Sequence, residues 1–156
     1  MELLKAQELA TMYMEEYVPY WRFKFDNAVR RFGCCNHTYK QISLSKKLTL
    51  VNDMASVEDT VIHEVAHAIV GCFHGHDGVW QRKCIELGGS GKQFFSKDDT
   101  VLPQSKYTLT CNTCGNTSMR HKLTARTKRI ACGSCCKKYN GNKFSDKYLF
   151  KITQNF

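Results

Sequence analysis

Apolar residues recur near a 3.6-residue period over residues 1–17, where Leu3, Leu4, Ala6, Leu9, Ala10, Met12 and Tyr13 share one side of a helical wheel. The pattern predicts an amphipathic opening helix that Pro19 ends. From Trp21 the period drops to two: W-R-F-K-F alternates aromatic and basic residues, the mark of a half-buried strand, and Gln41–Leu44 (QISL) reads as a second. Between them Arg30, Arg31 and Gly33 indicate a turn or a further strand. Helical spacing returns with Val57, Val61, Ile62, Val65, Ala66, Ile69 and Val70, a face broad enough to predict a buried helix. Ser56 and Asp59 resemble a capping box at its start, and Gly71 stops it. A further helix is predicted over Val79–Leu87, ended by Gly88-Gly89, and Ser90–Pro103 has the polar composition of a linker. Helices and short strands in separate runs predict an α+β domain over residues 1–103, with residues 104–156 forming a second, smaller unit.

Polar residues interrupt the apolar helix in one place, I-H-E-V-A-H at residues 62–67. His63 and His67 are four apart, so both imidazoles leave the same face, while Glu64 projects about 100° round the axis. Two imidazoles and a carboxylate are costly to bury without a partner, and a metal ion is the partner this spacing fits. Zinc takes two such imidazoles, a third protein ligand and a water, and a glutamate beside that water is placed to act as its general base. The third ligand has three candidates. His76 follows the glycine-terminated helix where the chain can reverse, with Trp80 four residues on to pack against the site; His74 and Glu86 are the rivals. Asp77 either orients a ligand imidazole or caps the next helix.

Charge divides the chain where the pattern does. Residues 1–103 carry 12 Lys+Arg against 13 Asp+Glu, whereas residues 104–156 carry 11 against the single Asp146, a balance of +10. So compact a cationic segment calls for a polyanion, and nucleic acid is the commonest one inside cells. Within it, Cys111-x-x-Cys114 and Cys132-x-x-Cys135 have 17 residues between them, the spacing of two knuckles that clasp one structural zinc ion in a zinc ribbon. Arg120, Lys122, Arg126, Lys128 and Arg129 lie between the knuckles, and Lys137 and Lys138 follow them, as candidate phosphate contacts. Tyr139, Phe144, Tyr148 and Phe150 are interleaved with the later cations, chiefly as the ribbon's own packing.

Nine cysteines, an odd number with two adjacent pairs, favour thiols and metal over disulfides, so a reducing cytoplasmic or nuclear location is expected. No apolar run approaches the roughly 20 residues of a membrane span, and the glutamates of the N-terminus do not fit a secretory signal. Neither membrane association nor export is expected, and a monomer is. The Gly88–Gly91 stretch, GGSG, has no following lysine and helix and reads as a turn rather than a phosphate loop. Cys34 and Cys35, near His37, have no metal-ligand spacing and are read as free thiols, and Cys72 and Cys84 as packing residues.

The segment HEVAHAIVGCFHGHDGVWQRKCIELG resembles the SprT-like (Spartan-like) metallopeptidases, which show H-E-x-x-H, a loop of variable length, and a third histidine four residues before an aromatic one. The resemblance runs from about Tyr20 to Cys135. WRFKFDNAVRRFGCC followed by ISLSKKL is similar to the family's short antiparallel sheet, which covers the cleft, and the basic segment with paired C-x-x-C motifs resembles the zinc ribbon that follows many SprT-like domains. It implies catalytic zinc on His63, His67 and His76 with Glu64 catalytic. It also implies a substrate: the best-understood family members cleave proteins covalently trapped on DNA. The expectation is therefore a zinc endopeptidase with one catalytic and one structural zinc. Its partners would be DNA, single-stranded or junction-containing, and the proteins held on it. The rival expectation is a non-catalytic, zinc-stabilised nucleic-acid-binding protein.

Overall fold

The structure is a computed structural model that describes residues 1–93 and 100–156. It divides into two compact units, Met1–Pro103 and Gln104–Phe156. The first opens with helix α1 (Leu3–Tyr17), which buries Ala6, Leu9, Ala10 and Met14. Three short strands follow, β1 (Arg22–Asp26), β2 (Gly33–Asn36) and β3 (Gln41–Ser45), then helices α2 (Lys46–Val51), α3 (Met54–Val70) and α4 (Gly78–Glu86). α1, α3 and the sheet enclose one core, in which Ile42, Leu44, Leu48, Val57, Val61 and Val65 are fully buried. The unit is α+β with a small sheet on helices.

The sheet itself is mixed. Its order is β1-β3-β2, with β1 parallel to the central β3 and β2 antiparallel to it. The expected purely antiparallel sheet is corrected here: the chain from Asp26 to Gly33 crosses to the far side of where β3 will lie, which turns β1 and β3 the same way. Asp26 anchors that crossing, accepting from the Ala28 N–H at 2.8 Å, Arg31 Nη2 at 2.6 Å and Ser43 Oγ at 2.9 Å. β2 is thus an edge strand, and it packs on α3.

α3 begins earlier than its apolar pattern predicts. Asp53 is the N-cap, its carboxylate accepting from the Ser56 N–H at 2.9 Å, so Ser56 is the third helical residue and not the cap. Asp59 is consequently released from any capping role. Gly71 ends the helix with φ 92°, a conformation that favours glycine. The expected linker is also corrected. Ser90 donates twice to the Asp59 carboxylate, Gly91 is buried, and Val101 is held by both polar atoms of Asn52, so its two ends are packed parts of the unit. Residues 94–99 of that linker lie outside the described residues.

The second unit is a three-stranded antiparallel sheet, order β5-β4-β6, from β4 (Tyr107–Cys111), β5 (Thr117–Arg120) and β6 (Phe150–Gln154), with short helices α5 (Ala125–Lys128) and α6 (Gly133–Tyr139). Its core is small: Cys111, Cys132, Cys135, Cys136 and Tyr148, with Leu109 also buried. Among the described residues no helix is long and apolar enough to cross a membrane.

Candidate metal centre

His63 and His67 leave the solvent-facing stripe of α3, and the loop after Gly71 returns His76 to them. The three Nε2 atoms are 3.2 Å (His63–His67), 3.1 Å (His67–His76) and 3.0 Å (His63–His76) apart. Three ring nitrogens so close are not a hydrogen-bonding ring; they are three lone pairs turned on one point. Tetrahedral zinc with bonds of about 2.0–2.1 Å asks for donors roughly 3.4 Å apart, so the donor set fits zinc within a few tenths of an ångström. Burial first, then the neighbouring rings, push His63 and His67 down to about 4, and burial lowers His76. All three rings are then neutral near pH 7, the form that binds metal.

Their orientation is fixed from behind. The ring of Trp80, fully buried on α4, lies 4.6, 5.1 and 4.6 Å from the His63, His67 and His76 ring centres, and its Nε1–H donates to the His63 carbonyl at 3.4 Å. The backbone at Lys92 approaches the His63 ring, and that at His74 the His67 ring, each in the sense that favours a ring proton. Carbonyls on the ring nitrogens that do not face the metal point select the tautomer that ligates.

The rivals for third ligand sit elsewhere. His74 Nδ1 pairs with Asp77 Oδ2 at 2.8 Å, and Glu86 is exposed with Lys83 Nζ at 2.7 Å. Asp77 does two things at once: Oδ1 caps α4 through the Val79 and Trp80 N–H groups while Oδ2 holds His74, pinning the loop that carries His76.

Glu64, one residue from His63, points under β2 and is 7 % exposed. Burial raises its carboxyl to about 7, against the pull of the Cys35 N–H and of Arg31. β2 approaches so closely because residue 33 has no side chain: a Cβ there would lie 2.6 Å from Glu64 Oε1 and 2.7 Å from its Cγ. The sequence marks Gly33 as part of a turn or a further strand, and it opens β2. Its φ is unremarkable; the close approach is tertiary, with no signal in the local pattern. Glu64 and the three histidines open into one cleft of about 480 Å³, with Arg30, Cys34, Cys35 and His37 on its β2 side. Cys35 Sγ is 3.6 Å from His37 Nε2, and burial, with Glu64 and Cys34, pushes this thiol up to about 12. Cys72, expected to be packed, is exposed at the cleft, while Cys84 is buried beside Trp80.

The second unit brings Cys111, Cys114, Cys132 and Cys135 together, with Sγ–Sγ distances of 3.7 Å (Cys111–Cys135) and 3.6 Å (Cys114–Cys132). Zinc–sulfur bonds of about 2.3 Å place tetrahedral thiolates roughly 3.8 Å apart, so these four also fit zinc. Burial raises Cys111, but backbone N–H groups of Cys114 and Thr113 outweigh it and bring that thiol to about 6. Cys136 is buried alongside, outside the cluster. Of the cations expected to meet phosphate, Lys122, Arg126, Lys128, Lys137 and Lys138 are exposed. Arg129 is exposed but spans the Asp146 carboxylate, at 3.1 and 3.2 Å from Nη2, and Arg120 turns back on Ser118 Oγ and the Met119 carbonyl.

The sequence model of the SprT-like family matches residues 5–103, which takes in α1 as well as the sheet and the His63–His76 site. No curated protein and no solved structure matches the chain.

Proposed function

This chain belongs to the SprT-like family, whose domains are of the zincin-like metallopeptidase type, and from that premise we propose that it is a zinc-dependent endopeptidase acting on proteins bound or crosslinked to DNA. The observation that carries the reading is the placement of a buried carboxylate, Glu64, directly beside three convergent imidazoles at the floor of an open cleft. His63, His67 and His76 are the residues that hold zinc, and a zinc ion there supplies an activated water and a Lewis acid for the scissile carbonyl. Glu64 takes the proton of the attacking water and returns it to the departing amine. Burial raises the Glu64 carboxyl, the direction that favours holding the proton until it is passed on. Glu64 is buried under β2 yet lines the cleft, and the Cys35 backbone beside it favours its charged form.

The ribbon is the DNA-binding element in this reading, its exposed Lys122, Arg126, Lys128, Lys137 and Lys138 meeting phosphates and its exposed Tyr139 and Phe144 offering faces to unpaired bases. The test is Glu64→Gln. The variant should keep both zinc ions and its DNA affinity while cleavage of a DNA-bound protein falls by at least about 100-fold. Undiminished cleavage by a zinc-loaded Glu64→Gln protein sinks the catalytic assignment. DNA affinity with no proteolysis in the wild type supports the non-catalytic reading instead.

A further inference from the structure

One turn before His63, on the same stripe of α3, Asp59 uses both carboxylate oxygens on a residue 31 positions later: the Ser90 N–H donates to Oδ1 at 2.6 Å and Ser90 Oγ to Oδ2 at 2.9 Å. Ser90 Oγ in turn accepts from the Lys92 N–H at 3.3 Å, and Lys92 lines the cleft with His63, its backbone close enough to the ring to favour the ring proton. The chain can follow this path because of its glycines. Gly88 (φ 91°) and Gly91 (φ 66°) take conformations that other residues rarely adopt, and a Cβ at Gly89 would lie 2.7 Å from both Cys84 Sγ and Ile62 Cγ2. Gln81 Nε2 closes the other side by donating to the Gly91 carbonyl at 3.3 Å. The GGSG stretch is therefore a fitted strap, not a loose turn, and it runs from the end of α4 to the back of a candidate zinc ligand.

We propose that Asp59 and the Gly88–Lys92 strap are positioning elements of the metal centre: Asp59 fixes Ser90, Ser90 fixes Lys92, and the Lys92 carbonyl holds the His63 ring in its ligating tautomer and angle. The inference rests on the metal-binding reading of His63, His67 and His76. Partners that orient a ligating histidine in this way are worth about 10–100-fold in metal affinity. The carboxylate acts at one remove, through the strap, so removing it releases the ring without removing a ligand.

Zinc binding to the full chain tests this, read by competition with a chelator, with cobalt(II) as the spectroscopic probe. The two sites report separately, since only the four-cysteine site gives a thiolate-to-cobalt charge-transfer band, which makes it an internal control. Asp59→Ala is expected to weaken zinc at the three-histidine site about 10–100-fold, with the ribbon site unchanged. Ser90→Ala, which removes one exposed hydroxyl and keeps the backbone, is expected to shift the same site in the same direction by less. Should Asp59→Ala fail to fold, Ser90→Ala and Asp59→Asn carry the test. Two zinc ions in the wild type with undiminished affinity in every folded variant overturn the strap and leave the metal reading standing. A wild type that binds zinc at the ribbon alone overturns both. A purely scaffolding role predicts a lowered urea midpoint of zinc-free protein with zinc affinity intact, and that result also rejects the proposal.

Discussion

A methyl group at residue 33 would sit 2.6 Å from Glu64 Oε1, well inside contact distance, and the carboxylate would have to move or β2 lift off α3. Gly33→Ala should therefore behave as a misplaced-base variant: zinc content near that of the wild type, and peptide cleavage down by about 100-fold, the scale of a 1 Å displacement of a catalytic group. Metal analysis beside an activity assay checks it, and full activity would show that Glu64 tolerates the shift. Asp26 gives a pH prediction. Burial pushes its carboxyl up, but the Ala28 N–H, Ser43 and Arg31 together hold it below the usual carboxylate range. A depressed folded-state pKa contributes stability above the unfolded value, and that stability is lost as pH falls through the folded one. Asp26→Asn should thus be less stable than wild type at about pH 7, with the gap closing below about pH 4. Urea midpoints across that range decide it.

At the scale of elements, α4 matters to the centre through one ring. Trp80 is fully buried and touches all three imidazoles, so Trp80→Ala removes both packing and the wall behind the ligands. A loss of about 3–5 kcal/mol is expected in chemical denaturation. Tryptophan emission that changes on zinc addition to the wild type is the accompanying signature. The ribbon depends on metal for a different reason. Its buried core is largely three of the clustered cysteines, Cys111, Cys132 and Cys135, with Cys136, Leu109 and Tyr148, too little to fold a unit of this size alone. Cys132→Ser should disorder residues 104–156 while the first unit, which has its own core, keeps its thermal transition. Amide exchange mapped along the chain separates the two outcomes.

The whole molecule is electrically lopsided, with nearly balanced charge in residues 1–103 and +10 in residues 104–156. Only one carboxylate, Asp146, opposes the ribbon's cations, and it is spent on Arg129. Single-stranded DNA affinity should fall linearly with salt on logarithmic axes, by about 0.7 per phosphate contacted. Changing Lys122 and Lys137 to Gln should flatten that slope by about 1.4 and leave hydrolysis of a free peptide unaltered. A slope indifferent to both residues would move the DNA surface elsewhere on the chain.

Much of this was legible in the sequence because it is local. Four-residue spacing puts His63 and His67 on one helix face wherever that helix lies, paired C-x-x-C motifs bring thiolates within reach of one ion, and period-two alternation marks β1. The rest depends on distance through space. That β1 runs parallel to β3, that His76 rather than His74 or Glu86 joins the two helix histidines, that Gly33 makes room for Glu64, and that GGSG reaches back to Asp59 are all contacts between residues far apart in the chain. Local patterning limits which side chains can share a face; only the closing of the loops, driven by burial of the common core, selects which of them meet.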